Sequence, residues 1–145
     1  MKNYTSKEMN RYNYLVSEID AAYHESSLRL GISDSVMRIL YTVCDAGEKC
    51  PLAEISRKTG LSKQTVHSAV HKLEKENIIY LEAADGKSKN VCLTKKGIEI
   101  AQKTALRIID IENNIFSSWE SADVEKYLEL TEKYLISLKE KINKL

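Results

Sequence analysis

Pro51-Leu52-Ala53-Glu54-Ile55-Ser56-Arg57-Lys58-Thr59-Gly60-Leu61-Ser62-Lys63-Gln64-Thr65-Val66 is the stretch on which the fold turns. Pro51 suits the first turn of a helix, because its missing N–H would have no intrahelical partner there. Leu52 and Ile55 give that helix an apolar side, and Gly60 ends it after about eight residues while permitting a sharp turn. Ser62 is an N-cap candidate for a second helix from about Lys63 to Glu76. At 100° per residue, Val66, Ala69, Val70 and Leu73 fall within about one third of its circumference. The chain then changes character. Ile78-Ile79-Tyr80-Leu81 and Asn90-Val91-Cys92-Leu93-Thr94 are rich in strand-forming residues and flank the polar Ala84-Asp85-Gly86-Lys87-Ser88-Lys89, which predicts a hairpin with a basic tip. A short helix, a glycine turn, a second helix and a hairpin make a winged helix-turn-helix.

Working outward, Tyr12, Leu15, Val16, Ile19, Ala22 and Tyr23 recur at three and four residues and predict a helix from about Glu8 to Leu30 with one buried face, stopped by Gly31. Ser33 is a plausible N-cap for a helix carrying Val36, Met37, Ile39, Leu40 and Val43 to near Gly47. Beyond the hairpin, one long helix is expected from about Lys95 to Trp119. A last helix, capped by Ser121, carries Val124, Tyr127, Leu128, Thr131, Leu135, Leu138, Ile142 and Leu145 at heptad-like spacing. The expected fold is mainly α with a small two- or three-stranded β wing. It comprises an N-terminal dimerisation helix over 1–32, a winged helix-turn-helix lobe over 33–96 and C-terminal dimerisation helices over 97–145.

The 145 residues contain 43% hydrophobic and 30% charged side chains with 5 Gly and 1 Pro, a balance that excludes disorder and collagen and supports a core without disulfide or metal. The longest apolar runs, such as Ile78-Ile79-Tyr80-Leu81, are far short of the roughly 20 residues that cross a bilayer. The start of the chain lacks the apolar region of a secretory signal, and the three cysteines have no paired spacing, so a cytoplasmic, reducing location is expected. The net charge of +1 hides an uneven distribution: residues 51–96 hold nine basic and five acidic side chains, residues 1–50 six and seven, and residues 97–145 seven and nine. The basic excess sits on the lobe expected to meet phosphate.

Opposite the apolar stripe of the second helix lie Gln64, His67, Ser68, His71 and Lys72, an arc without a carboxylate. An amide that can pair bidentately with adenine, hydroxyls and imidazoles for base edges, and a lysine for phosphate are the groups that major-groove reading requires. Ser62, Lys63 and Thr65 stand at the helix start, where free N–H groups favour a phosphate. The run from Pro51 to Val66, continued by Leu73-Glu74-Lys75-Glu76-Asn77, resembles the helix-turn-helix of MarR-family transcription regulators. Asp85-Gly86-Lys87-Ser88-Lys89-Asn90-Val91-Cys92-Leu93-Thr94-Lys95-Lys96-Gly97 is similar to that family's wing, and the long first and last helices occur there in the same order. The resemblance implies a homodimer held by the first and last helices, with two recognition helices reading a pseudo-palindromic duplex. It further implies a repressor released by a small aromatic or amphipathic ligand. The wing arginine of the family is Lys87 here, which keeps the charge and loses the planar fork; Asp85 matches the aspartate that orients it, and Lys89 adds a second wing cation.

Other readings compete for the same residues. His67 and His71 have the four-residue spacing of zinc ligands, but no third ligand is evident, and their place on the polar arc favours DNA over metal. His24, near Glu25, reads as a solvated or packed residue. Cys44 and Cys92 read as small buried hydrophobes, whereas Cys50, beside Lys49 and near a helix start, is the cysteine expected to have thiolate character. A redox-switched or constitutive DNA binder is therefore the alternative. Eight tyrosines stand against one Phe and one Trp, and Tyr12, Tyr23 and Tyr41 with Met37, Arg38 and Cys44 could edge a pocket for a planar, weakly acidic ligand. No phosphate-binding glycine loop, nucleophile elbow or His-Glu-x-x-His pattern occurs, so neither an enzyme nor a cofactor is expected.

Overall fold

A computed structural model describes residues 1–145, in the order α1 (Lys7–Leu30), α2 (Asp34–Asp45), β1 (Lys49–Pro51), α3 (Leu52–Thr59), α4 (Lys63–Lys75), β2 (Ile79–Ala83), β3 (Lys89–Leu93), α5 (Lys95–Lys103), α6 (Ala105–Ser118) and α7 (Ser121–Ile142). The local signals act as their chemistry requires. Ser6, Ser33 and Ser62 cap α1, α2 and α4 by accepting the backbone N–H three residues on. Gly31 and Gly60, both left-handed at φ 75° and 69°, close α1 and α3. Asn77 performs the same service for α4 at φ 61°, with Ile78 N–H donating to Leu73 O at 2.9 Å.

The chain forms two units, Met1–Arg107 and Ile108–Leu145. In the first, α2 is the centre: Ile39, Leu40 and Val43 are fully buried, joined by Ile55 of α3, Val66 and Leu73 of α4, Ile79 of β2 and Val91 of β3. The sheet is antiparallel in the order β1-β3-β2, with Cys50 opposite Val91 and Leu81 opposite the same residue from the other side. Thr94 locks the end of the wing: its hydroxyl donates to Asn77 O at 2.7 Å and accepts from Gly97 N at 2.9 Å, so one side chain caps α5 and ties it to the exit of α4.

The wing takes the three-stranded form of the expected sheet, its third strand ending at Pro51. Three sequence expectations need correction. Pro51 stands as N-cap of α3 rather than in its first turn. A strand of three residues that includes a proline carries no periodic signal; it forms because Lys49–Pro51 finds the free edge of β3. The single helix expected over 95–119 is two helices, broken at Thr104, whose φ and ψ are −129° and −92°. The buried Thr104 hydroxyl donates to Ile100 O at 2.8 Å, a back-bond of the kind that bends helices. Ser121 is the first residue of α7 and Glu120 its cap, without a side-chain hydrogen bond. The apolar face of α1 is exposed at Tyr12, Leu15, Val16, Ile19 and Tyr23, and α1 buries only Ser27.

The second unit leaves a similar surface. No residue of α7 is buried, and Leu128, Leu135, Leu138 and Ile142 are each about half exposed. Phe116, Trp119 and Tyr127 form an edge-to-face cluster with centroids 5.3 to 6.1 Å apart, which fastens the turn between α6 and α7. No helix is long and apolar enough to cross a membrane.

Candidate nucleic-acid interface

The arc inferred from helical angles is the outer face of α4. Val66, Ala69, Val70 and Leu73 are buried, while Ser62, Lys63, Gln64, Thr65, His67, Ser68, His71 and Lys72 are exposed. The helix start is ordered by two bonds on one oxygen: Ser62 Oγ accepts from Thr65 N at 3.1 Å and donates to Thr65 Oγ1 at 2.8 Å. Both hydroxyls stand at the positive end of the α4 dipole.

Two grooves flank the helix. One of about 640 Å³ runs between α4 and the wing and is lined by Lys63, His67, His71, Lys87, Ser88 and Lys89 on its polar side, and by Pro51, Leu52, Val70 and Leu81 on its floor. It brings together five of the residues expected to meet DNA from two separate elements. The sequence reading passed over Ser56, Glu74 and Ser88, which line the same groove; nothing in local spacing marks them, because α3, α4 and the wing meet only in the fold. The second groove, about 440 Å³, lies on the other side and joins Gln64, Thr65, Ser68 and Lys72 to Ser33 and Ser35 at the start of α2. Asp85 is exposed, at the wing tip where Ser88 N–H donates to its carbonyl at 3.3 Å.

The wing is fastened by a charge pair outside the grooves. Lys49 Nζ lies 2.7 Å from Glu82 Oε2, so β1 and β2 are joined across β3, over the buried Cys92. Hydrogen bonding to Lys49 holds the Glu82 carboxyl below the usual carboxylate range, and the same contact raises Lys49.

The residues considered for a ligand pocket are dispersed in their roles. Tyr12 and Tyr23 are exposed on α1, Met37 is buried, and Tyr41 is half-buried. Arg38 donates from its guanidinium to Thr59 O at 3.2 Å. Cys44 lines a cleft of about 250 Å³ with Leu93, Ile98, Ala101 and Leu106, which contains none of the tyrosines. The thiolate expected at Cys50 is corrected: Cys50 is buried, its thiol is pushed up by that burial, and Sγ points to Pro51 O at 3.6 Å. Burial likewise pushes Cys44 up to about 11 and raises Cys92. All three are free thiols. No group of three His, Cys, Asp or Glu side chains is placed to hold a metal ion. His24 is more engaged than its sequence context suggested, with Nδ1 at 2.6 Å from Asp34 Oδ2.

Comparison with known proteins places this geometry. The family model that matches is that of the MarR family, over residues 30–88, from the end of α1 to the wing tip. No curated protein sequence matches the chain. Among solved structures, the chain is similar to a MarR family transcriptional regulator from Silicibacter pomeroyi at 18% identity, covering 90% of this chain and 89% of that one, with a TM-score of 0.69. It is similar to MepR of S. aureus, solved as a DNA complex, at 19% identity over 92% of this chain and 99% of that one, TM-score 0.70. NadR, solved with 4-hydroxyphenylacetate, aligns at 11% identity over 95% and 96% of the two chains with a TM-score of 0.68.

Proposed function

From a chain that carries the MarR-family region over residues 30–88 within the MarR winged-helix fold, we propose a dimeric, sequence-specific binder of double-stranded DNA that regulates transcription. The observation that carries this reading is the groove between α4 and the wing, where Lys63, His67, His71, Lys87 and Lys89 converge against a single carboxylate, that of Glu74. A duplex backbone is the polyanion that such a groove accommodates while α4 enters the major groove. In this reading Gln64, Thr65, Ser68 and His71 face base edges. Ser62, Lys63, His67 and Lys72 face the bases and phosphates at the rim, and Lys87 and Lys89 with Asp85 form the wing contact. Two copies joined through the first and last helices present two such faces to a pseudo-palindrome, with half-sites about 34 to 36 Å apart.

The regulator acts as a repressor that a small aromatic or amphipathic ligand releases. Support comes from NadR, whose structure holds 4-hydroxyphenylacetate; that compound is the first probe for a thermal-shift screen. The redox-switched alternative has no support from the thiols, all of which burial holds in the protonated form.

The test is selection of duplexes from a random pool by the full chain, followed by fluorescence anisotropy on the preferred site. The expected result is a twofold-symmetric site whose discrimination falls by about 1 to 3 kcal/mol per lost base contact on Gln64→Ala or Ser68→Ala. Lys87→Ala is expected to weaken all duplexes alike and to lower the salt slope by about 1. An unchanged affinity after combined alanine substitution of Gln64, Ser68 and His71 overturns the assignment of α4.

A further inference from the structure

Away from the reading face, a chain of contacts runs from α1 to the turn of the helix-turn-helix. His24 Nδ1 lies 2.6 Å from Asp34 Oδ2, joining α1 to the first turn of α2. The same carboxylate is faced by the Ser27 hydroxyl of α1 and by Arg38 one turn further along α2, and His24 is the largest of the influences that hold it in the charged form. Arg38 itself turns elsewhere, donating to Thr59 O at 3.2 Å. Thr59 organises the turn before α4: its hydroxyl donates to Ile55 O at 2.6 Å and accepts from Leu61 N at 3.3 Å, flanking the left-handed Gly60.

Asp34 and Arg38 stand four apart on one helix, the spacing at which opposite charges pair. Arg38 thus has two competing acceptors, the Asp34 carboxylate and the Thr59 carbonyl, and what occupies Asp34 decides between them. We infer that His24 and Asp34 are positioning residues for DNA reading: His24 holds Asp34, leaves Arg38 on the Thr59 carbonyl and so keeps the turn that aims α4. When that hold is lost, Asp34 draws Arg38 off the turn. Glu25, next to His24, is engaged elsewhere, pairing with Arg29 at 2.9 Å.

This inference rests on the DNA-binding reading, and its test separates the two. The probe is the duplex recovered from the random pool, its affinity measured for wild type, His24→Ala, Asp34→Asn and the double variant. His24→Ala is expected to bind about two- to fivefold more weakly, the scale on which an exposed ion pair acts. The double variant is expected to return to the level of Asp34→Asn, because the residue that pulls Arg38 away is gone. A readout independent of DNA is amide hydrogen exchange at Leu61 and Ser62, expected to quicken in His24→Ala and recover in the double variant. Failure of the second substitution to rescue both readouts overturns the relay. Absence of any preferred duplex for the wild type overturns the DNA-binding reading itself, while the exchange data still judge the relay as a link within the fold.

Discussion

Gly97 has ordinary helical backbone, yet no other residue fits its place: a Cβ there would fall on the carbonyl oxygen of Ile78. The close approach follows from Thr94, which caps α5 and grips Asn77 and Ile78 with the same hydroxyl. Gly97→Ala is therefore expected to destabilise the fold by about 1 to 3 kcal/mol, the cost of overpacking a site backed by main chain. Urea denaturation checks it against Gln102→Ala, an exposed control on the same helix expected to stay within about 0.5 kcal/mol. At this scale the sequence is readable wherever a residue acts on its neighbours. Ser33 and Ser62 cap, Gly31 and Gly60 stop helices, and the polar arc of α4 follows from angle alone. It is unreadable where a residue answers to a distant partner. Cys50 looked open beside Lys49 and is buried because β1 pairs with β3, and His24 looked solitary because Asp34 is ten positions away.

At the scale of elements, the misreadings share a cause. Strand β1 and the break at Thr104 are tertiary decisions taken by segments whose own pattern is weak or points elsewhere. β1 has three residues, and Thr104 sits in an otherwise continuous helical period that its buried hydroxyl interrupts. The strands of the wing are held together by more than their ladder, since Lys49 and Glu82 meet above Cys92. The direction of their shifts sets a pH window. Glu82 is held below its ordinary 4.5, so its contribution is present above that pH and lost as pH falls through the lowered value. Lys49 is raised above 10.5, so its contribution is present below that pH and lost as pH rises through the raised value. Acid unfolding of the wild type should therefore contain a component below pH 4.5 that Glu82→Gln lacks, measured by circular dichroism across a pH series. Coincident acid transitions in the two proteins would remove the pair from the stability of the wing.

For the molecule as a whole, the question is what covers the apolar faces that its own fold leaves bare. Tyr12, Leu15, Val16 and Ile19 on α1, and Leu128, Leu135, Leu138 and Ile142 on α7, are exposed in rows. Rows of this kind on a soluble monomer are sites of association. Sedimentation is expected to give twice the chain mass, with a melting temperature that rises with protein concentration. Leu128→Glu combined with Leu135→Glu should give a monomer that melts lower and binds the selected duplex more weakly. A wild type that sediments as a monomer would leave those faces without their proposed occupant. The heptad spacing of α7 and the three-and-four spacing of α1 made both surfaces visible in the sequence.

The order β1-β3-β2 has an evolutionary consequence. Because β3 is the middle strand, pinned on both sides, and its register is set beyond the tip by Leu81 and Cys50 against Val91, the loop from Ala84 to Ser88 bears almost none of the fold. Its residues can be exchanged, and its length altered, without unpicking the core. Drift at the wing tip, where Asp85, Gly86, Lys87 and Ser88 are exposed, can therefore change the charge and reach of the loop while α4 and the sheet beneath it keep their packing.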